Sequence, residues 1–284
     1  MSKLARLLAC CFVAGLIRAA HAQDESPKPD IFYLPTPQRI VDVMLLMADV
    51  NKDDVVYDLR SGDGRLVITA ARRYGARGVG IEIDPKLIAY AKKRAARLKV
   101  EEKVEFRQQD LFKTDLKEAS VITLYLLDTL NVRLRPQIFA RVKPGTRIVS
   151  HAFHMGEWQP DAERKLTIRG KPYEAYFWVV PANISGRWKL SGKHSIRGLP
   201  DDVVIEQRFQ DFTVHAPDSD ALLASGKLAG TEFYLIIPAG ERGIATRFTG
   251  TVDGDEMKAL LPEEALSWRG TRVRGTEKPL EPPE

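Results

Sequence analysis

The stretch VVYDLRSGDGRL, residues 55–66, determines the fold that the sequence predicts. VVYDL has the apolar composition of a short buried strand, and GRLVITAARRYG has the spacing of a helix that ends at Gly75. Gly62 and Gly64, in the turn between them, would let the backbone approach a ligand, as in dinucleotide-binding sheets. A tight turn that needs glycine for its own dihedral angles explains them equally well. Arg60 occupies the position where the first glycine of such a turn is expected.

Helical and strand patterns alternate from Ile31 to about Ala182, which predicts an α/β domain over residues 31–182. The strand-like runs are DVVYDL, GVGIEID, VEFRQQDL, ASVITLYLL and RIVSHAF, and the further helical patterns are PQRIVDVMLLMADV, PKLIAYAKKRAARLKV and NVRLRPQIFARV. LTIRGKPYEAYFWVV then reads as a hairpin of two strands. This order predicts a doubly wound, Rossmann-like sheet of seven strands with an antiparallel edge.

A second domain is predicted over residues 183–275, where strand patterns are separated by glycine turns. We expect a small antiparallel β domain, either a barrel or a curved meander. Its aromatic residues could bind an apolar ligand, but filling the barrel is the better interpretation for Trp188, Phe233, Tyr234 and Trp268. Residues 276–284 are expected to form a disordered tail because they are rich in proline and glutamate.

The first 22 residues have the pattern of a secretory signal peptide. Lys3 and Arg6 precede the apolar run LLACCFVAGLI, and AHA at residues 20–22 is a cleavage signature. The run has 11 residues, too few to span a bilayer, so we predict a cleaved signal and no membrane span in the mature chain. Residues 23–30 would be a linker, and the mature bacterial protein would be periplasmic or secreted.

The net charge and the positions of the cysteines exclude some kinds of partner and some kinds of chemistry. The formal net charge of +5 falls to +2 after cleavage, because three basic residues and no acid leave with the signal. KKRAARLK at residues 92–99 has the spacing of a solvated helix face, so we predict no nucleic-acid partner. Cys10 and Cys11 are the two cysteines, and both lie in the signal, which excludes a disulfide or a cysteine-ligated metal in the mature chain.

Acidic residues end three successive predicted strands, at Asp58, Glu82 and Asp110. The carboxyl ends of parallel strands meet at one edge of a sheet, where ligands bind in this architecture. Glu82 follows Gly64 by 18 residues, close to the offset of about 20 at which a carboxylate meets ribose hydroxyls. Asp110 also fits a helix cap or a turn.

The run SHAFHMGEW contains a possible metal set, formed by His151, His154 and Glu157. On a strand, a spacing of three residues places the two histidines on opposite faces. We therefore predict no metal site there.

With these motifs, residues 31 to about 181 resemble class I S-adenosylmethionine-dependent methyltransferases. They are most similar to the small protein-lysine methyltransferase family that includes the ATP synthase c-subunit lysine methyltransferase. The matching motifs are YLPTPQRIVDVML, YDLRSGDGR, GVGIEID, DLF at residues 110–112, TLYLL and KPGT. The resemblance implies S-adenosyl-L-methionine as cofactor and methyl transfer to a protein lysine or a small-molecule acceptor.

The resemblance also implies a role for individual residues. The methionyl part of the cofactor would be held by Asp58, Ser61, Gly62 and Gly64, the ribose by Glu82, and the adenine by Asp110 and Leu111. Thr36 and Pro37 would close over the cofactor. Tyr125 is the candidate to line the acceptor pocket, although an aromatic core residue in a strand is an equally good interpretation.

Two positions depart from the family pattern, which has glycine in place of Arg60 and a proline-like residue in place of Asp128. An inward guanidinium at position 60 would enter the space of the methionyl ammonium group. Export would also take the chain out of the cytoplasm, to a place where the cofactor is not expected to be plentiful. These points support an alternative, an exported non-catalytic binding module that keeps the fold. Because Glu82 and Asp110 are retained, we predict a methyltransferase.

Overall fold

A computed structural model describes residues 34–192, 199–239, 245–260 and 268–281. The predicted signal peptide, residues 1–22, and the linker, residues 23–30, lie outside the described residues. Within the described ranges, no helix is both long enough and apolar enough to cross a membrane.

The first domain contains one sheet of seven strands in the order β3-β2-β1-β4-β5-β7-β6. Strands β1 to β5 are parallel, and β6 and β7 form an antiparallel hairpin at one edge. The strands are β1 Val55–Leu59, β2 Arg77–Glu82, β3 Val104–Gln108, β4 Val121–Leu124, β5 Arg147–His151, β6 Ala162–Ile168 and β7 Lys171–Val179. The predicted doubly wound sheet with an antiparallel edge is confirmed.

Four α-helices connect or precede these strands: α1 Gln38–Met47, α2 Arg65–Tyr74, α3 Pro85–Arg97 and α4 Asp128–Arg141, with a 3-10 helix at Leu111–Lys113. Helix α3 begins at a proline, and the carboxylate of Asp84 accepts a hydrogen bond from the Lys86 N–H at 2.7 Å. Gly75 ends α2 in the left-handed conformation. Helix α4 begins at Asp128, three residues before the predicted start, and continues through Pro136.

The helices cover both faces of the sheet, which is why its central strands are apolar on both sides. On one face, Ile40, Met44 and Leu45 of α1 pack against Val56 and Val149. The opposite face is covered by α4 in the cluster that contains Leu134, Ile138, Ile122, Ile148 and Trp178. This packing leaves the carboxyl ends of the strands open for a site.

The second domain is a closed barrel of eight antiparallel strands in the order β10-β11-β12-β13-β14-β15-β8-β9. The strands are β8 Gly186–Ser191, β9 Asp202–Arg208, β10 Asp211–His215, β11 Leu222–Ala229, β12 Glu232–Ile237, β13 Thr246–Asp253, β14 Glu256–Ala259 and β15 Arg269–Arg272. Trp188, Phe233 and Trp268 are buried in its core, whereas Tyr234 lies under the guanidinium of Arg247. A cavity of only about 20 Å³ remains inside, so the aromatic residues of the core fill the barrel.

The chain after the barrel runs past the start of the second domain and reaches the first domain at Glu281. The backbone N–H of Lys278 donates to Ser185 Oγ at 2.8 Å, and the Lys278 carbonyl accepts from Asn183 at 2.8 Å. Glu281 pairs with the buried Arg135 of α4. The disorder predicted for residues 276–284 therefore does not describe residues 276–281, because backbone hydrogen bonds and a buried ion pair replace the apolar contacts that this segment lacks. Residues 282–284 lie outside the described part of the chain.

Candidate functional site

Two neighbouring cavities lie at the carboxyl edge of the parallel sheet, beside the point where the chain changes direction between β1 and β4. The β1–β4 cavity has a volume of about 300 Å³ and is lined by Leu34, Thr36, Asp58, Ser61, Tyr125, Leu127 and Phe153, among others. The β2–β3 cleft is smaller, about 30 Å³, and is lined by Glu82, Asp110, Leu111, Leu126 and Leu130, among others. Arg60 lines both, so the two cavities are neighbours on either side of this residue.

Asp58, the fourth residue of β1, is buried in the wall of the β1–β4 cavity. Thr123 Oγ1 donates a hydrogen bond to its carboxylate at 2.9 Å. Burial raises the pKa of Asp58 to about 7, and this effect exceeds the lowering by the Thr123 hydrogen bond. A cation entering the cavity would favour the ionised carboxylate, so Asp58 suits a positively charged ligand group.

Glu82 ends β2 and organises the glycine turn. Its Oε2 accepts from the Gly62 N–H at 2.9 Å, and its Oε1 accepts from Ile83 N–H at 2.8 Å and Asp84 N–H at 3.1 Å. An ionised carboxylate can accept about four hydrogen bonds, so these three leave room for a ligand hydroxyl. Glu82 is therefore both a structural acid and a group able to bind a sugar diol.

Gly64 is required by packing. It precedes α2 at φ 72°, and a Cβ at this position would lie 2.5 Å from the ring of Phe106. The tight-turn interpretation is therefore sufficient for Gly64, whereas Gly62 holds Glu82. Ser61 Oγ is buried and has no hydrogen-bond partner among the described residues, so a polar ligand atom would satisfy it.

Arg65 and Asp63 anchor the segment that precedes α1, and neither was predicted from the sequence. Arg65 donates to the Thr36 carbonyl at 2.6 Å and to Asp63 at 2.9 Å, and Asp63 also accepts from Arg94 at 2.5 Å. Burial alone would raise the pKa of Asp63, but the hydrogen bonds and charges of the two arginines hold it below its usual value. Pro37 starts α1 and does not line either cavity. Arg65, directly after the glycine turn, was the residue from which the sequence could have indicated this anchor.

Asp110 and Leu111, which the resemblance assigns to the adenine, line the β2–β3 cleft. Asp110 also accepts from the Phe112 N–H at 2.9 Å and caps the 3-10 helix. Both interpretations of Asp110 therefore fit the structure. The apolar side chains around it, Leu126 and Leu130, give the cleft the character that a flat aromatic ligand group needs.

Two aromatic side chains, Tyr125 and Phe153, line the β1–β4 cavity together with Asp58, and His151 packs behind Tyr125. The Tyr125 ring lies 4.1 Å from the ring of His151 and 5.8 Å from that of Phe153, measured between centroids. His151 Nδ1 lies 3.2 Å from Thr36 Oγ1, and burial lowers the pKa of His151 to about 4, so the ring is neutral at pH 7. From the sequence, His151 was only a metal candidate and Phe153 was not identified, although both lie at or just beyond the end of β5.

The remaining residues of the rejected metal set point elsewhere. The His154 ring packs 3.9 Å from the Tyr176 ring, and Glu157 pairs with Arg208 at 2.6 Å. The described residues contain no group of three or more side chains arranged to hold a metal ion. Asp128, the second departure from the family pattern, starts α4 and accepts from the His154 N–H at 2.5 Å.

Comparison with known proteins agrees with this geometry. The profile of the ANTKMT methyltransferase domain matches residues 58–162. A protein-lysine N-methyltransferase of Saccharolobus islandicus is 37% identical over 153 residues, which is 54% of this chain and 95% of that protein. The chain belongs to the protein-lysine N-methyltransferase family. It is an S-adenosylmethionine-dependent methyltransferase, and its cofactor is S-adenosyl-L-methionine.

Two further relatives show how far the similarity extends. An RNA methyltransferase from Salinibacter ruber, solved with S-adenosyl-L-homocysteine, is 54% identical with a TM-score of 0.50, covering 53% of this chain and 96% of that one. The ATP synthase c-subunit lysine N-methyltransferase of Rattus norvegicus is 30% identical over 45% of this chain and 59% of its own length. The chain thus spans less than two thirds of the rat enzyme. These relatives give no support to the non-catalytic alternative.

Proposed function

We propose that this methyltransferase modifies the side-chain amine of a lysine in a protein partner, with the cofactor lying across both cavities. The observation that carries the proposal is the site itself. One cavity is lined by the carboxylate of Asp58 and by aromatic side chains, and the neighbouring cleft is narrow and largely apolar. Both lie at the sheet edge where this fold binds its ligands. The lysine acceptor follows from the relatives named above, and a small-molecule amine would use the same wall.

The described side chains fit the cofactor from one end to the other. Asp58 would pair with the methionyl ammonium group, and Ser61 Oγ would gain the partner that it lacks. Glu82 would accept from the ribose, using the position that its three backbone donors leave open. Asp110 and Leu111 would contact the adenine in the cleft. Thr36 would lie over the site, held by Arg65.

When bound, S-adenosylmethionine supplies a methyl group on a positively charged sulfur, and its transfer to an amine leaves a neutral thioether. The protein must then deliver the amine without its proton. Tyr125, Phe153 and Leu127 form an apolar rim that removes water from an entering ammonium group and lowers its pKa. Because burial keeps His151 neutral, its ring adds no positive charge next to Tyr125.

Arg60 is the residue that opposes the cofactor. Its φ of 88° is positive, a backbone conformation that favours glycine. For an arginine this conformation costs about 1 to 2 kcal/mol of stability. Arg60 lines both cavities, so a guanidinium directed into the site would lie near the ammonium and the sulfonium.

We expect Arg60→Gly to tighten binding of S-adenosylmethionine by about tenfold, roughly 1.4 kcal/mol. Thermal-shift titration of both proteins measures this, since a ligand of the folded state raises its Tm. Arg60→Ala separates the two causes, because it removes the guanidinium and keeps the strained φ. If neither variant binds more tightly than the parent, Arg60 is tolerated or is itself a ligand of the cofactor carboxylate.

A second variant tests the acceptor wall. Burial, with a smaller effect of Tyr173, raises the pKa of Tyr125, so its hydroxyl stays protonated and can orient an amine by hydrogen bonding. We expect Tyr125→Phe to lower kcat about tenfold, near the energy of one hydrogen bond, and to leave affinity for S-adenosylhomocysteine within about twofold. Tyr90→Phe, at an exposed site on α3, is the control. An unchanged kcat in Tyr125→Phe would show that only the ring matters.

The acceptor class can be tested directly. Purified protein is incubated with S-adenosylmethionine labelled in its methyl group, together with a protein extract and total RNA from cells lacking the enzyme. Label recovered as methyl-lysine after hydrolysis of the protein fraction supports the proposal. Label recovered in nucleosides overturns it and assigns the acceptor to RNA. Heat-denatured enzyme provides the background.

A further inference from the structure

The segment of residues 152–161, between β5 and β6, connects the acceptor wall with the second domain. At one end it carries Phe153, which lines the β1–β4 cavity. At the other, Met155 and Trp158 are fully buried and form a β-bridge with each other. The position of Phe153 therefore depends on whatever holds the buried part of the segment.

Helix α4 holds this segment from the side of the first domain. Asn131 Nδ2 donates to the His154 carbonyl at 3.0 Å, and Arg135 Nη1 donates to the Met155 carbonyl at 2.7 Å. Gly156 lies so close to the helix that a Cβ would come within 2.8 Å of Val132. These contacts fix one side of the segment.

The barrel holds the other side through the turn between β9 and β10. Gln210 Nε2 donates to the Gln159 carbonyl at 2.9 Å. The ring of Phe209 stacks on those of Trp158 and Phe139, with centroids 6.1 and 5.8 Å away. Phe209 has φ 56°, which is unusual for a large side chain, and the turn thereby places its ring in the core of the first domain.

Arg135 joins all three parts of the molecule. Its guanidinium is almost fully buried, donates to the Met155 carbonyl, and lies 5.0 Å from the centroid of the Phe209 ring. Its Nε also donates to a Glu281 carboxylate oxygen at 2.8 Å. A buried guanidinium needs such partners, so its loss would release the segment, the barrel turn and the residues after the barrel together.

We propose that the barrel domain sets the acceptor wall of the methyltransferase, with Phe209 and Arg135 as positioning residues that act through residues 152–161. Neither residue lines the β1–β4 cavity or the β2–β3 cleft. Asp58 and Glu82 are held by separate contacts, from Thr123 and from backbone N–H groups. The effect should therefore fall on the acceptor and spare the cofactor. This inference rests on the proposed function in one respect, that the acceptor enters beside Phe153.

The test uses Phe209→Gly in the full chain, because glycine keeps the positive φ of the turn while removing the ring. Phe233→Leu, in the barrel core, is the matched control for loss of barrel packing. We expect amide hydrogen exchange at residues 152–158 to become about tenfold faster in Phe209→Gly alone. Exchange at residues 55–66 and the Kd for S-adenosylhomocysteine should stay within about twofold of the parent.

Equal exchange of residues 152–158 in parent, Phe209→Gly and control would overturn the proposal, whatever the acceptor is. Where Phe209→Gly fails to fold, Gln210→Met removes only the hydrogen bond to Gln159 and gives the same two outcomes.

The second readout is methyl transfer to poly-L-lysine, for which we expect kcat/KM to fall at least fivefold in Phe209→Gly with the KM for S-adenosylmethionine unchanged. An unchanged kcat/KM in Phe209→Gly, despite faster amide exchange at residues 152–158, would also overturn the proposal that the barrel sets the acceptor wall. No transfer to poly-L-lysine by the parent would count against the lysine acceptor, and the exchange experiment would still decide the coupling.

Discussion

Asp58→Asn is expected to weaken binding of S-adenosylhomocysteine by about 3 kcal/mol, roughly a hundredfold, the largest loss among the substitutions considered. The amide keeps the shape of the carboxylate and can still accept from Thr123, but it gives an ammonium group no charged partner in a buried wall. Isothermal titration at pH 8 measures the loss. Asp53→Asn, an exposed acid paired with Lys52, should bind as the parent does. Equal affinity for all three proteins would remove Asp58 from the site.

The same variant makes a prediction about pH. Because burial raises the pKa of Asp58 to about 7, the parent must release a proton from this carboxyl to bind a cation. The affinity of the parent for S-adenosylhomocysteine should therefore increase as pH rises from 6 to 8. The affinity of Asp58→Asn should change little over the same range. Parallel pH profiles for the two proteins would contradict the assignment.

The contribution of Asp58 to the stability of the protein without cofactor should change with pH in the opposite direction, decreasing as pH rises. The folded pKa of Asp58 lies above its unfolded value of 3.8, so its contribution to stability is lost as pH rises from about 4 to about 7. His151 opposes this, because its folded pKa of about 4 lies below 6.5 and its contribution is lost as pH falls through that window. Asp58→Asn should therefore have a higher Tm than the parent at pH 8.

Glu82→Ala is expected to reduce both binding and stability. Loss of the ribose contact should weaken binding of S-adenosylhomocysteine by about 1.5 to 3 kcal/mol. Loss of the acceptor for three backbone N–H groups should lower the free energy of unfolding by about 2 to 4 kcal/mol, because the donors around the glycine turn lose their partner. Titration calorimetry and urea unfolding measure the two effects.

Glu105→Ala is the control for this substitution. Glu105 lies on the neighbouring strand β3, and its carboxylate pairs with Arg107 at a largely exposed position. We expect little change in binding or in unfolding midpoint for this variant. A Glu82→Ala protein that loses stability and binds normally would restrict Glu82 to its structural role.

The sequence located the site residues that lie at the ends of parallel strands. Parallel strands end at a common edge, so Asp58, Glu82 and Asp110 could be placed together from the strand order alone. The hairpin and an antiparallel β domain, either a barrel or a curved meander, followed from strand and turn patterns, which depend on near neighbours in the chain. Tyr125 also follows the edge rule, and the structure places it in the cavity wall.

What the sequence could not supply depends on contacts between distant residues. Arg65 reaches the Thr36 carbonyl across 29 positions, and Arg135 reaches Glu281 across 146. Phe153 enters the cavity because a buried segment positions it, and no local pattern encodes that. The order of residues 276–281 was missed for the same reason, since their partners lie in the other parts of the fold.

The closed barrel also limits how this protein can meet others. The eight described strands pair in a closed ring with no first or last strand, so none of them leaves an unpaired edge to which a strand of another chain could be added. Recognition by these strands must therefore use their side chains. The seven-stranded sheet does end, at β3 and at β6. Glu163, Arg164 and Lys165 on exposed positions of β6 place charges along that border, which disfavours edge-to-edge aggregation.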